Sequence, residues 1–195
     1  MFNMRPSTLA LAILLAMILS GVCATARSQT DLPSEQKLNV NAALVLNPEF
    51  CTTVMKKNHE TFDIGKVACE VFKSGFEKGF TGLTVVEAAP MAGDAQIVLL
   101  PRLADVTATK TMGAFSDREL TLFMEWTVKD KSGRTIWIGT VQGSAKNHMG
   151  NAFTYKTDLK EIIHYAVQDL ANKSVVELDA SPQIRKIALQ SAARP

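Results

Sequence analysis

Residues 118–147, RELTLFMEWTVKDKSGRTIWIGTVQGSAKN, limit what this chain can fold into more than any other stretch. Leu120, Leu122, Met124, Trp126 and Val128 recur at every second position, while Glu119, Thr121, Glu125, Thr127 and Lys129 fill the gaps. A strand sends successive side chains to opposite faces, so this pattern gives one apolar face and one wet face. Phe123 is the exception on the wet side. Asp130-Lys131-Ser132-Gly133 then supplies turn chemistry, with Gly133 free to adopt a positive φ. The return strand, Thr135 to Ser144, is rich in β-branched and aromatic residues that suit a pleated surface. The segment predicts a long β-hairpin.

Other segments supply what that hairpin must pack against. Leu38, Val40, Ala42, Leu44 and Leu46 alternate as a first strand, stopped by Asn47-Pro48. Residues 49–59 have no steady period and read as an irregular loop held by Cys51. From Asp63, a residue suited to accept a first-turn amide, Ile64, Val67, Ala68, Val71, Phe72 and Phe76 form one helical stripe, with Gly79 and Gly82 at its exit. Thr84 to Ala88 is a short strand. Gln96 to Val106 is a longer one interrupted by Pro101, which suggests an edge or a bulge there. A polar connection, 107–117, leads into the hairpin, and 147–154 breaks the pattern after it. Thr157 or Asp158 then caps a second helix with Leu159, Ile162, Ile163, Ala166, Val167 and Leu170 on one face. Pro182 ends any regular continuation, leaving 181–195 as a tail that is either a short docking helix on Ile184, Ile187 and Ala188 or frayed. The order β-α-β-β-β-β-α predicts an α+β two-layer sandwich. Its sheet is mixed, mostly antiparallel and about five-stranded, with two helices on one face. The first two strands should be parallel and the later ones an antiparallel meander.

The chain of 195 residues is long enough for one domain, placed at 37–180. Its 47% apolar and 21% charged residues fit a chain that buries a core. Residues 1–26 read as a cleaved signal peptide: Arg5 precedes an apolar run from Leu9 to Leu19, and Ala24-Thr25-Ala26 offers small residues for cleavage. That run is shorter than the ~20 residues of an ordinary spanning helix, so removal is favoured over an uncleaved anchor. Lipidation of Cys23 would need a better match than Ser20-Gly21-Val22 before it. Residues 27–36 are polar and read as a flexible leader.

Cleavage leaves two cysteines, Cys51 and Cys69. In an oxidising compartment they invite a disulfide, the alternative being two separate buried thiols. A metal site with His59 between them has neither standard spacing nor a fourth ligand, so no metal and no cofactor are expected. The formal charge of +2 is too small to predict a nucleic-acid partner. Lys56 and Lys57, with Lys66, Lys73 and Lys78, form a mild basic cluster that is either a solvated face or a contact for anionic lipid or an acidic partner. Trp126 and Trp137, on paired strands, are either core or a ligand-stacking pair. Phe123 is a further contact candidate. Neither the nucleophile elbow, the paired-histidine zinc helix, the phosphate loop nor the glycine-rich dinucleotide fingerprint occurs. His59, His148 and His164 are scattered, and no enzyme activity is expected.

Val128, Asp130, Gly133 and Trp137, preceded by Leu122, Met124 and Trp126, make the chain resemble a group of small exported bacterial envelope proteins. In these a strand-helix-strand unit precedes such a hairpin and a helix follows. The group includes accessory lipoproteins of lipopolysaccharide transport, auxiliary lipoproteins of ABC-type transport systems and YajG-like lipoproteins, and the resemblance covers residues 37–178. It implies a periplasmic, non-catalytic adaptor or assembly accessory that contacts an envelope protein complex. The alternative expectation is a periplasmic carrier for an apolar or lipid-like ligand. A pocket lined by Phe72, Phe76, Trp126 or Trp137 would favour the carrier; a filled core with a bare sheet face would favour the adaptor.

Overall fold

The alternating segments do pair. In the computed structural model, which describes residues 37–110, 117–148 and 155–192, β1 (Leu38–Val45), β4 (Phe80–Val86), β5 (Ile97–Lys110), β6 (Asp117–Asp130) and β7 (Thr135–His148) form one sheet in the order β4-β1-β5-β6-β7. β1 is parallel to both β4 and β5, and β5-β6-β7 is the antiparallel meander. These residues belong to the compact unit Ser34–Pro195. The expected signal peptide 1–26, Cys23, the leader 27–36, and most of the 107–117 and 147–154 connections lie outside the described residues.

The parity read from the sequence sets the two faces. Leu120, Leu122, Met124, Trp126 and Val128 are all fully buried, and they share one core with Val40, Ala42 and Leu44 of β1. Two helices roof that face: α2 (Ile64–Gly79) through Ile64, Ala68, Val71, Phe72 and Phe76, and α3 (Tyr155–Ala180) through Ile162, Ile163, Ala166, Val167 and Leu170. Gly143 of β7 lets α3 lie flat on the sheet. A Cβ there would stand 2.4 Å from the backbone nitrogen of Leu170.

Several expectations need correction. The described residues hold four α-helices, and a separate two-stranded sheet, where two helices and one sheet were expected. Residues 49–59 are not an irregular loop. Asn47 caps a short helix α1 (Pro48–Cys51), its side-chain oxygen accepting from the Phe50 amide at 2.7 Å. A hairpin, β2 (Val54–Lys57) with β3 (Glu60–Asp63), follows. Its turn residues Asn58 and His59 both have positive φ, as a two-residue hairpin turn of this hand requires.

Asp63 does not cap α2 with its side chain; the Gly65 amide donates instead to the carbonyl of Thr53, just ahead of β2, at 3.0 Å. α3 starts at Tyr155, ahead of Thr157 and Asp158, whose side chains are outside the described residues. Pro182 begins a helix, α4 (Pro182–Ala192), rather than only ending one, and its Ile184 is fully buried in the core. That is the docking alternative for the tail.

Pro101 lies within β5, opposite Trp126 of β6. The pairing of β5 with β1 covers only Ile97 to Leu99, so a residue without an N–H sits where that side of β5 is no longer paired to β1. The shift in register between Leu103 and Asp105 adds the anticipated bulge.

Cys51 and Cys69 form the disulfide, with Cα atoms 5.6 Å apart, and it ties α1 to α2. It closes a loop of 18 residues in sequence separation. By the chain-entropy argument, replacing both cysteines with serine should cost about 3 kcal/mol, read as a lower midpoint in chemical denaturation with a somewhat steeper slope, because the chain without the crosslink unfolds to a more open ensemble. A second expectation concerns the Trp126 indole N–H, which donates to the buried Ser174 hydroxyl at 2.9 Å. Ser174→Ala strands that donor and should cost ~1–3 kcal/mol, measured the same way.

Candidate interaction surface

Placing the candidate residues on this frame separates the packed from the accessible. Trp126 and Trp137 do project to one face, since Trp126 opposes Gly139 and Val128 opposes Trp137. They do not form an open pair. Trp126 is fully buried, its ring centroid 5.5 Å from that of Phe72 and 5.1 Å from that of Phe76. Trp137 is half-buried with its ring lying over Gly139. Phe123 is on the opposite face, partly buried between Asp105 and Gln142.

Lys56 is exposed on β2, but Lys57 pairs with Asp105 at 3.2 Å. Asp105 in turn is held below the usual carboxylate range, first by the Val106 amide and then by Lys57. The expected basic cluster is therefore partly neutralised. His59 is exposed at the hairpin tip, and His164 is exposed beside Tyr165. The side chain of His148 is outside the described residues. Cys51 and Cys69 are bonded to each other and so cannot serve as thiolate metal ligands. Among the described residues no cluster of His, Cys, Asp and Glu could hold a metal ion.

Three features went unnoticed in the sequence. Arg118 is 2% exposed, paired with Glu60 of β3 and set over the Phe62 ring at 5.8 Å. Its position was a signal: 118 has the inward parity of Leu120 to Val128. The second feature is a cleft of about 730 Å³ between α4 and the β6–β7 turn. Asn41, Gln96, Asp130, Arg134, Lys186 and Gln190 line it together with Ile136 and Ile187, so its lining is mixed, and it has none of the aromatic residues expected of an apolar ligand pocket. Asp130 is held below the ordinary carboxylate range, chiefly by the Ser132 hydroxyl with help from the Arg134 and Ser132 amides. Those bonds fasten the turn.

The third feature is the outward side of β7, which pairs only with β6 among the described strands. The Ser144 amide donates to Asp169 of α3 at 2.8 Å, so it points away from β6. By the alternation of a strand, the backbone groups of Ile138, Thr140 and Gln142 point the same way. Beyond this edge, the outer face of β5, β6 and β7 carries Thr107, Thr121, Thr127 and Thr140, with Leu100, Phe123, Ile138 and the Arg102–Glu125 ion pair among them. Among the described residues, the corner over β1, β4 and the start of β5 is covered, where Ala89, Ala92 and Ala95 pack on Ala43, Val45, Val86 and Val98. Ile138 is 63% exposed.

No protein-family model matches the chain, and no curated protein matches it. Among solved structures it is similar to a Xanthomonas campestris protein of family DUF330, at 6% identity and TM-score 0.49, over 76% of this chain and 91% of that one. It is also similar to a minor lipoprotein of Acinetobacter baumannii, at 13% identity and TM-score 0.47, over 74% and 94%. A lipoprotein candidate of Caulobacter crescentus has 12% identity and TM-score 0.42, over 68% and 86%. At these values none of them assigns a function or a family.

Asp169 also accepts from Lys173 at 2.7 Å, which holds it in place against the edge. Asp169→Ala should therefore expose the Ser144 amide and speed its hydrogen exchange by about tenfold, the equivalent of one charge-assisted hydrogen bond of ~1.4 kcal/mol. Exchange followed residue by residue in NMR reads this directly, and the buried Leu122 amide serves as the unaffected control.

Proposed function

We propose that this chain is an exported, non-catalytic protein of the bacterial envelope that works as an adaptor or assembly accessory, meeting a membrane complex through the uncovered side of its sheet. One observation carries the reading. The interior between sheet and helices is filled by Phe72, Phe76 and Trp126, all fully buried, while the outer face of β6, β7 and the part of β5 beyond Leu100 has no covering layer among the described residues. A carrier of apolar ligands needs the opposite, an unfilled interior and a mouth.

Export is supported by the leader pattern of residues 1–26 and by the bonded cysteine pair, which suits an oxidising compartment. Among the described residues no helix is long and apolar enough to cross a membrane. The weak lipidation pattern before Cys23 supports a periplasmic protein in this reading, over an outer-membrane lipoprotein.

Crosslinking in intact envelopes followed by purification of the tagged protein tests the reading. The expected result is a defined membrane complex, with recovery reduced about tenfold by Phe123→Lys, a typical effect for disrupting a central contact residue. Co-purified lipid with no protein partner would replace the adaptor by the carrier. Equal recovery with Phe123→Lys would move the contact off this face.

A further inference from the structure

The edge of β7 has an unusual composition for an unpaired strand. From Thr135 to Ala145 it carries no charged side chain and no proline, the two devices by which exposed edges commonly avoid pairing. Both ends of the open stretch are nonetheless marked. On one side the register shifts between Val128 and Lys129, placing a bulge at Ile136. On the other, Asp169 occupies the Ser144 amide. Between these limits run Trp137 to Gly143, with the backbone groups of Ile138, Thr140 and Gln142 facing outward. Thr140 is the midpoint.

From this geometry we infer that β7 pairs with the β7 of a second copy of the chain, antiparallel, about a twofold axis at Thr140. The register follows from the two limits. Ile138 meets Gln142 of the other copy and Thr140 meets Thr140, and each pair exchanges both backbone hydrogen bonds. Side chains fit the same register. On the inner face Trp137 comes opposite Gly143 and Val141 opposite Gly139, so each larger residue meets a glycine. On the outer face the exposed Ile138 gains a neighbour, and threonine opposes threonine, a favourable cross-strand pair. No charge is buried, and the small net charge of +2 brings little mutual repulsion. The two sheets become one, and their outer faces join in a single surface. The inference stands apart from the adaptor reading, because it concerns copies of this chain only.

A contact made by one pair of edge strands lies at the small end of specific interfaces, so the dimer should form at about micromolar concentrations and above. The purified protein is examined by sedimentation velocity up to about 100 µM, with circular dichroism to verify folding. The expected result is a doubling of mass that is lost in Thr140→Lys, which sets like charges face to face on the axis.

Register is tested separately. Opposed residues of a hydrogen-bonded pair lie ~5.5 Å apart at Cα, within disulfide range. Thr140→Cys should therefore crosslink two copies on mild oxidation, while Gln142→Cys alone should not. A monomer at the highest concentration, a larger ring or open polymer, an unaffected Thr140→Lys dimer, or equal crosslinking from the two cysteine variants would each overturn the inference.

Discussion

The buried indole of Trp126 is the contact on which the two layers depend. It stands on β6, near the middle of the apolar parity, with Phe72 and Phe76 of α2 against its rings and Ser174 of α3 accepting its N–H. One side chain thus touches the sheet and both roofing helices. The hydrogen bond has a specific consequence in a dry interior: the indole must meet Ser174 in one orientation, since an unpaired donor there loses its hydration without replacement. The aromatic contacts set how far α2 stands above the sheet, and Gly143 sets how closely α3 approaches. Filling by Trp126, Phe72 and Phe76 leaves that region no space for a ligand. The adaptor reading rests on that packing.

The segment between β1 and α2 is held by different means. Its α1 and its β2–β3 hairpin contribute little apolar area, mainly Phe50 and Phe62, with Phe50 stacked on Phe72 at 6.2 Å. Covalent and ionic contacts do the rest: Cys51 to Cys69, Lys57 to Asp105 and Glu60 to Arg118. Exposed ion pairs contribute little individually. Arg118 is different, because its burial means that the loss of Glu60 would leave a charge in a low-dielectric setting. The hairpin therefore behaves as a part of the sheet's far end rather than as a free arm.

What could be read in the sequence follows from what is local. Strict alternation in 120–128 and the helical stripe of 64–76 are set by burial on one side, and both were legible with their faces. The β2–β3 hairpin was not, because Val54 to Asp63 has only Phe62 fully buried, and its pairing depends on neighbours remote in sequence. Two prolines have a double role. Pro48 and Pro182 do follow the ends of β1 and α3, and each also sits at the first position of a helix, where its missing N–H costs nothing and its fixed φ helps. Asn47 and Ser181 before them were the available signals. Arg118 was legible by parity, whereas Asp169 was not, since its partner is a backbone amide on a distant strand.

Besides the outer side of β4, which is short, two unpaired strand sides are handled differently in this sheet, and the contrast bears on function. Where β5 outruns β1, Pro101 removes a donor and a bulge follows, so the open side offers a poor template. Where β7 ends the sheet, Asp169 covers one amide and nothing charged interrupts Ile138 to Gln142. A lysine at Thr140 would protect that edge with little effect on folding, because the side chain is exposed and outside the core. The chain has threonine there instead, with glycines at 139 and 143 keeping the inner side of the edge slim. An edge kept neutral, open over a short stretch and bounded at both ends is better explained as a surface shaped for a strand than as one merely left over when the sheet ran out.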